Sequence, residues 1–403
     1  MSARNEPGIR TRQRRRTATS VPGPAKPGYW YDLAGLDAWA AAVRAALPAG
    51  VELLYAMKAN PDPGILGTLA PHVDGFEAAS GGELRHLAEV FPGTAPAAFG
   101  GPGKTDPELA AGLAAGVRRF HVESPTELYR LSRLATDRGV TADVLLRVNL
   151  PATVGGAVLV MGGRPSPFGM SPADARDCAG LDLPGIRIRG VHAHLGSGLD
   201  APAAAGLART IVEWAVAELD AREVNVGGGM AVDYTDPTAR FDWPAYGAAL
   251  ADLLAGYPGR TLRIEPGRAM AVYCGRYRVE VLDVKRSGAE WFVVVAGGTH
   301  QFRTPAAKGH SQPFTVLPRP EWAHPFPRPV TGDSGPVTVV GQLCTPKDVL
   351  ARLPDAAVLP PPGRIAAGDT IVFEMAGAYA WNISHRDFLM HDPPEFRTGV
   401  PEN

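Results

Sequence analysis

The sequence predicts an α/β protein, a (β/α)8 TIM barrel followed by a smaller β-rich domain, and three observations carry that reading. Eight short apolar, β-branched runs recur through the first two thirds of the chain, at 51–56, 73–78, 97–99, 118–122, 142–148, 186–192, 224–226 and 261–264. Alanine- and leucine-rich segments of helical period lie between them, as at 107–115, 125–134 and 207–219. Polar or glycine-rich residues follow nearly every run, which is where a parallel barrel of about 250 residues carries its chemistry.

Each region follows from this pattern. Residues 1–27 hold five arginines between Arg10 and Arg16 and no apolar periodicity, so they read as a disordered basic tail. Residues 28–270 form the barrel, with 29–33 offering a strand to the second domain because barrel strands begin only at Val51. Residues 271–403 change texture. Strand-like runs at 277–284, 291–296, 337–340 and 370–374 flank a proline-rich stretch at 305–336, the mark of a β domain.

Composition narrows the function class. The chain has 45% hydrophobic and 20% charged residues and a net charge of -1, so nothing draws it to nucleic acid or an anionic membrane. No apolar run approaches the ~20 residues that span a bilayer, and no signal segment opens the chain, so a cytoplasmic protein is expected. Three cysteines without paired spacing fit that compartment. Only six basic residues are lysines. A lysine in an apolar setting therefore invites a chemical reason, because Lys can lose its proton and Arg cannot.

Lys58 ends the run Val-Glu-Leu-Leu-Tyr-Ala-Met-Lys, where it either enters the barrel mouth as a Schiff-base amine or caps the strand at the surface. Gly227, Gly228 and Gly229 follow the seventh run and let backbone amides approach a phosphate. Glu265-Pro-Gly267-Arg268 follows the eighth, and its arginine suits the same anion. Alternation places His192 and His194 on one face of a strand, but no third ligand stands in register, and no metal is expected. A ring stacked on a flat cofactor is the other reading of His194. Cys344 is either a core thiol or a nucleophile or acid, and Tyr379 either packs or binds.

Seven segments in order, Tyr55-Ala-Met-Lys58-Ala-Asn60, Ala79-Ser80-Gly-Gly-Glu-Leu84, His194-Leu-Gly-Ser197, Gly227-Gly-Gly229, Glu265-Pro-Gly-Arg268, Cys344 and Gly377-Ala-Tyr379, resemble the fold-type III pyridoxal-phosphate decarboxylases. These are the diaminopimelate and ornithine decarboxylases, whose barrel is of the alanine racemase type. The resemblance implies pyridoxal 5'-phosphate held by Lys58 as a Schiff base, with His194 stacked on the ring. It implies that Ser197, Gly227 to Gly229, Gly267, Arg268 and Tyr379 hold the phosphate and that Glu265 faces the ring nitrogen. It further implies that Cys344 reaches the site from the second subunit of a head-to-tail homodimer and returns a proton to the substrate carbon.

The same resemblance bears on the substrate. His300-Gln-Phe-Arg303 occupies the place of a distal-carboxylate arginine, which makes Arg303, with His300, a substrate contact. The acidic residue that usually follows the cysteine and meets a distal amine is here Thr345. A site that keeps a carboxylate reader and loses an amine reader favours a carboxylate-rich small molecule. The segments around His300 and Cys344 are most similar to decarboxylases of carboxylate siderophore pathways, which act on citryl–amino acid conjugates. Diaminopimelate decarboxylases and decarboxylases of a carrier-bound glutamyl group are the alternatives within the chemistry. Outside it stand an amino-acid racemase, disfavoured because that group sets arginine against the ring nitrogen, and a non-catalytic regulator, which needs no Cys344.

Overall fold

The computed structural model describes residues 25–399 apart from 94, 152–158, 161 and 323. Most of the expected basic tail (residues 1–24) therefore lies outside the described residues.

Eight parallel strands close into a barrel in chain order: Val51–Ala56, Gly75–Ala78, Ala97–Phe99, Arg119–Val122, Ala142–Arg147, Ile186–His192, Glu223–Asn225 and Thr261–Ile264. The last pairs with the first through Ile264 and Leu53. Hydroxyl or carboxylate caps start the helices that follow. Ser80 accepts from the Glu83 N–H, Ser124 from Glu127, and Thr105 forms a reciprocal box with Glu108. Where the sixth and seventh strands converge, Gly190 leaves no room for a side chain. A Cβ there would lie 1.8 Å from the Glu223 carbonyl oxygen.

Charge closes the N-terminal end of the barrel. The Glu223 carboxylate takes Arg119 Nε at 2.6 Å, Arg263 Nη1 at 2.7 Å and Arg189 Nε at 2.8 Å. Burial alone would raise its pKa, yet these guanidinium groups bring it down to about 2.

The second domain is an eight-stranded sheet. Phe314–Leu317, Thr370–Phe373, Gly275–Ser287, Glu290–Val295, Val337–Val340 and Val349–Leu353 lie in that spatial order. Gly28–Tyr31 pairs with Gly275–Ser287 and with Glu395–Thr398, so this strand, which precedes the barrel, belongs to this domain. The proline-rich stretch holds both a strand and the short helix Thr304–Lys308. Tyr29, Tyr277, Phe302 and Phe373 are fully buried, and both tyrosine hydroxyls end on Gln301, at 2.7 Å each.

The sheet also reaches over the barrel mouth. The Tyr379 N–H donates to the Ala59 carbonyl at 2.7 Å, and Asn60 Nδ2 to the Gly377 carbonyl at 2.9 Å. Gly377 is required at this crossing because a Cβ would lie 2.0 Å from the Ala271 carbonyl oxygen. These contacts set Tyr379, with φ of 50°, beside the turn Met57–Ala59 that follows the first barrel strand.

Candidate active site

At the C-terminal ends of the strands a cavity of about 410 Å³ is lined by Lys58, His194, Ser197, Gly228, Gly229 and Glu265, together with Gly267, Arg268 and Tyr379. Gly227 stands just behind, its φ of 71° turning the chain so that the Gly228 N–H donates to His194 Nδ1 at 3.1 Å.

Lys58 lies in a short 3-10 turn directly after the first strand, and its Nζ pairs with the Glu77 carboxylate. Burial works against the ammonium, but Glu77, Tyr379 and Glu265 together hold its pKa above the usual lysine range. Glu77 closes the site from the second strand and is itself buried. Its signal in the sequence was an acidic residue inside the otherwise apolar run Gly75–Ala78. Arg147, which also lines the cavity and holds Glu123 at 2.6 Å, carried the same signal, a charge between Leu146 and Val148 in the apolar run 142–148.

Opposite the amine, the Glu265 carboxylate is fixed on both oxygens. Asn225 Nδ2 donates to Oε1 at 2.7 Å, and His192 Nε2 lies 3.1 Å from Oε2. Burial and the charge of Arg147 push the His192 imidazole well below its usual pKa, so it is neutral and serves the carboxylate as an N–H donor. Burial, then Arg147 and Lys58, likewise bring His194 down to about 3. A neutral flat ring in the cavity wall suits packing on a cofactor face.

His192 and His194 therefore do not share a ligand. The former turns inward to Glu265 and stacks on His121 at 4.2 Å, while the latter meets Gly228. His121, His192 and Glu265 do bring ligand atoms within 4.8 Å of one another. However, the imidazole planes are only 16° apart, so their lone pairs run side by side instead of converging as tetrahedral coordination demands.

Pyridoxal phosphate fits these residues. Arg268 has a hydroxyl partner, Tyr234 at 2.5 Å, but among the described residues no carboxylate, which leaves a cation for a phosphate. The triglycine has no space to spare, since a Cβ on Gly228 would lie 2.3 Å from the Glu265 carbonyl oxygen. Only a bare backbone can bring amides to that wall.

The remaining sequence-derived candidates lie elsewhere in the chain. Cys344 is exposed and does not line the Lys58 cavity. Arg303 and Thr345 line a second cavity, of about 760 Å³, in the β domain. His300 lines neither cavity. It is buried against His391, with ring centroids 4.7 Å apart. The helix Thr304–Lys308 borders both spaces, with Lys308 in the first and Pro305, Ala306 and Ala307 in the second.

Residues 33–272 match the family model described as the pyridoxal-dependent decarboxylase, pyridoxal binding domain. A 2-[(L-alanin-3-ylcarbamoyl)methyl]-2-hydroxybutanedioate decarboxylase of Staphylococcus aureus is 39% identical, over 91% of this chain and 92% of that protein. An L-glutamyl-[BtrI acyl-carrier protein] decarboxylase of Niallia circulans is 29% identical, over 91% and 87%. The crystal structure of diaminopimelate decarboxylase from Helicobacter pylori superposes with a TM-score of 0.75 at 24% identity, over 92% and 91%, a likeness of fold. No helix among the described residues is long and apolar enough to cross a membrane. The chain belongs to the pyridoxal-dependent decarboxylase family and is a pyridoxal-phosphate-dependent carboxy-lyase.

Proposed function

We propose that the substrate is a small amino acid conjugate with a carboxylate-rich distal end, a citryl–amino acid of siderophore biosynthesis. The observation that carries this reading is that Arg303 and Thr345 line one cavity, so the position that would meet a distal amine offers a hydroxyl beside a guanidinium. The S. aureus relative supports it, because its name describes an alanine unit joined through an amide to a hydroxybutanedioate.

The chain's own residues have distinct tasks in this proposal. Lys58 supplies the amine that holds the cofactor, and Arg268, Ser197, Gly267, Tyr379 and the triglycine amides hold its phosphate. When bound, the cofactor supplies an electron sink for the charge left as carbon dioxide departs. The Glu265 carboxylate holds a proton at the ring nitrogen, and His194 covers one face of the ring. Glu77 steadies the Lys58 ammonium.

Proton return falls to the Cys344 thiol. Its exposure outside the Lys58 cavity supports a head-to-tail homodimer in which each site takes its thiol from the other subunit. A cytoplasmic location fits the unpaired cysteines.

Carbon dioxide release from a panel of citryl–diaminopropionate, diaminopimelate, ornithine and a glutamyl-carrier protein tests the substrate. Turnover of the citryl conjugate well above the others is expected. Efficient release from ornithine, with none from citryl or glutamyl substrates, would overturn the reading.

A further inference from the structure

The larger cavity carries an imbalance of charge that Arg303 alone does not explain. Around its roughly 760 Å³ stand Arg303, Lys347 and Arg352, with His310 and His385, and among the described residues no aspartate or glutamate lines it. Some other arginines of this domain carry a carboxylate partner, Arg276 with Glu374 at 2.9 Å and Arg328 with Asp369 at 2.5 Å. Among the described residues, the side-chain cations of Arg303, Lys347 and Arg352 have no carboxylate within ion-pair distance. The nearby Asp348 does not neutralise them. It is buried outside the lining, and its oxygens accept from the Thr299 N–H at 2.6 Å and the Leu343 N–H at 2.8 Å.

The backbone beneath the cations is fixed while their charged ends stay free. Ser311 Oγ donates to the Arg352 carbonyl at 2.7 Å and accepts the Arg352 N–H at 2.8 Å. Thr345 Oγ1 accepts the Lys347 N–H at 3.3 Å, and Thr304 Oγ1 anchors the helix after Arg303 to the Tyr379 carbonyl at 2.6 Å. The backbone is thus set in advance, while the exposed side chains of Arg303, Lys347 and Arg352 still give up rotamer freedom when they close on an anion.

We infer that Lys347 and Arg352, together with Arg303, form a polycarboxylate subsite that takes at least two distal carboxylates of the substrate. This rests on the proposed carboxylate-rich substrate and extends it to residues beyond the single arginine. A monocarboxylate tail would leave two cations uncompensated, so the pocket selects by charge number as well as by sign.

Titration calorimetry of the holoenzyme with citrate, butyrate and inorganic phosphate tests the subsite. Citrate should bind on the order of tenfold tighter than the monocarboxylate butyrate. Lys347→Ala and Arg352→Ala should each reduce that preference, and Lys347→Arg should keep it, with the visible absorbance of the bound cofactor unchanged as a check on folding. Equal binding of citrate and butyrate, or a citrate preference that survives in the Lys347→Ala/Arg352→Ala protein, would overturn the inference. Tighter binding of phosphate than of citrate would overturn it in favour of a phosphorylated ligand. If the citrate preference requires both residues but citryl–diaminopropionate releases no carbon dioxide, the subsite stands and the proposed substrate fails. If the double variant turns that conjugate over with an unchanged KM, the substrate stands and the subsite fails.

Discussion

Nε2 of His192 lies 3.1 Å from Oε2 of Glu265, and Asn225 holds the other oxygen at 2.7 Å. The carboxylate is thus aimed from beneath, leaving its outer edge to the cavity. Glu265→Ala is expected to keep the cofactor bound and to slow decarboxylation. A charge-assisted hydrogen bond is worth ~1.5–3 kcal/mol, so the loss should be on the order of tenfold or more in kcat. Cofactor content by absorbance and turnover by carbon dioxide release separate the two effects, and unchanged kcat would remove Glu265 from the electron-sink role.

The pairing of Lys58 with Glu77 predicts a pH effect on cofactor loading. Only a neutral amine attacks the aldehyde of pyridoxal phosphate, and Glu77 helps to keep Lys58 protonated. Glu77→Gln should lower the Lys58 pKa and move the half-maximal rate of cofactor uptake by the apoenzyme to lower pH. Stopped-flow absorbance measures that rate. A profile that stays put or moves to higher pH is incompatible with the pairing. Borohydride should trap the cofactor on a Lys58 peptide in both proteins, and not on Lys104 or Lys308.

Exposure of Cys344 outside the Lys58 cavity predicts complementation. Lys58→Ala and Cys344→Ala proteins should each be nearly inactive alone. Mixed under conditions of subunit exchange, they should recover activity, because a hybrid dimer holds one site with both residues intact. No recovery in subunits shown to exchange would argue for a thiol supplied within one chain.

Glu223 predicts acid sensitivity. Its folded pKa of about 2 lies below the ordinary value of 4.5. The folded state therefore binds fewer protons in this window, and the stabilisation is present above about pH 4.5 and is lost as pH falls toward 2. Glu223→Ala, which leaves Arg189 without a carboxylate and Arg119 and Arg263 with only Asp143 and Glu52, should cost about 3 kcal/mol at neutral pH. Thermal unfolding across pH measures both. A wild-type protein whose stability is flat between pH 4.5 and 2.5 would contradict the role.

Local pattern carried the barrel and the identity of its functional ends. Apolar runs of three to seven residues alternating with capped helical segments leave few alternatives to a parallel closed sheet, and the run at 51–56 coincides with the strand Val51–Ala56. Lys58, Gly228, Glu265 and Arg268 stood out because each breaks an apolar run at its end, where a barrel gathers such residues whatever the helices between them. The β domain was less legible. The strands Phe314–Leu317, Val349–Leu353 and Glu395–Thr398 are short, partly exposed and set among prolines or charges, so their pairing partners, and not their own composition, make them strands.

By itself, then, the sequence determined the order of strands and which residue types stand at their ends, since both follow from chain-local periodicity. Tertiary structure alone decided who meets whom. Lys58 finds Glu77 only because neighbouring strands pair in register, Leu54 with Gly75. His192 faces Glu265 instead of joining His194 because barrel closure brings a residue 73 positions away beneath it. Cys344, Arg303, Lys347 and Arg352 depart from the Lys58 cavity for the same reason. Their contacts are set by folding of the sheet, and long-range contacts leave no periodic trace in a chain.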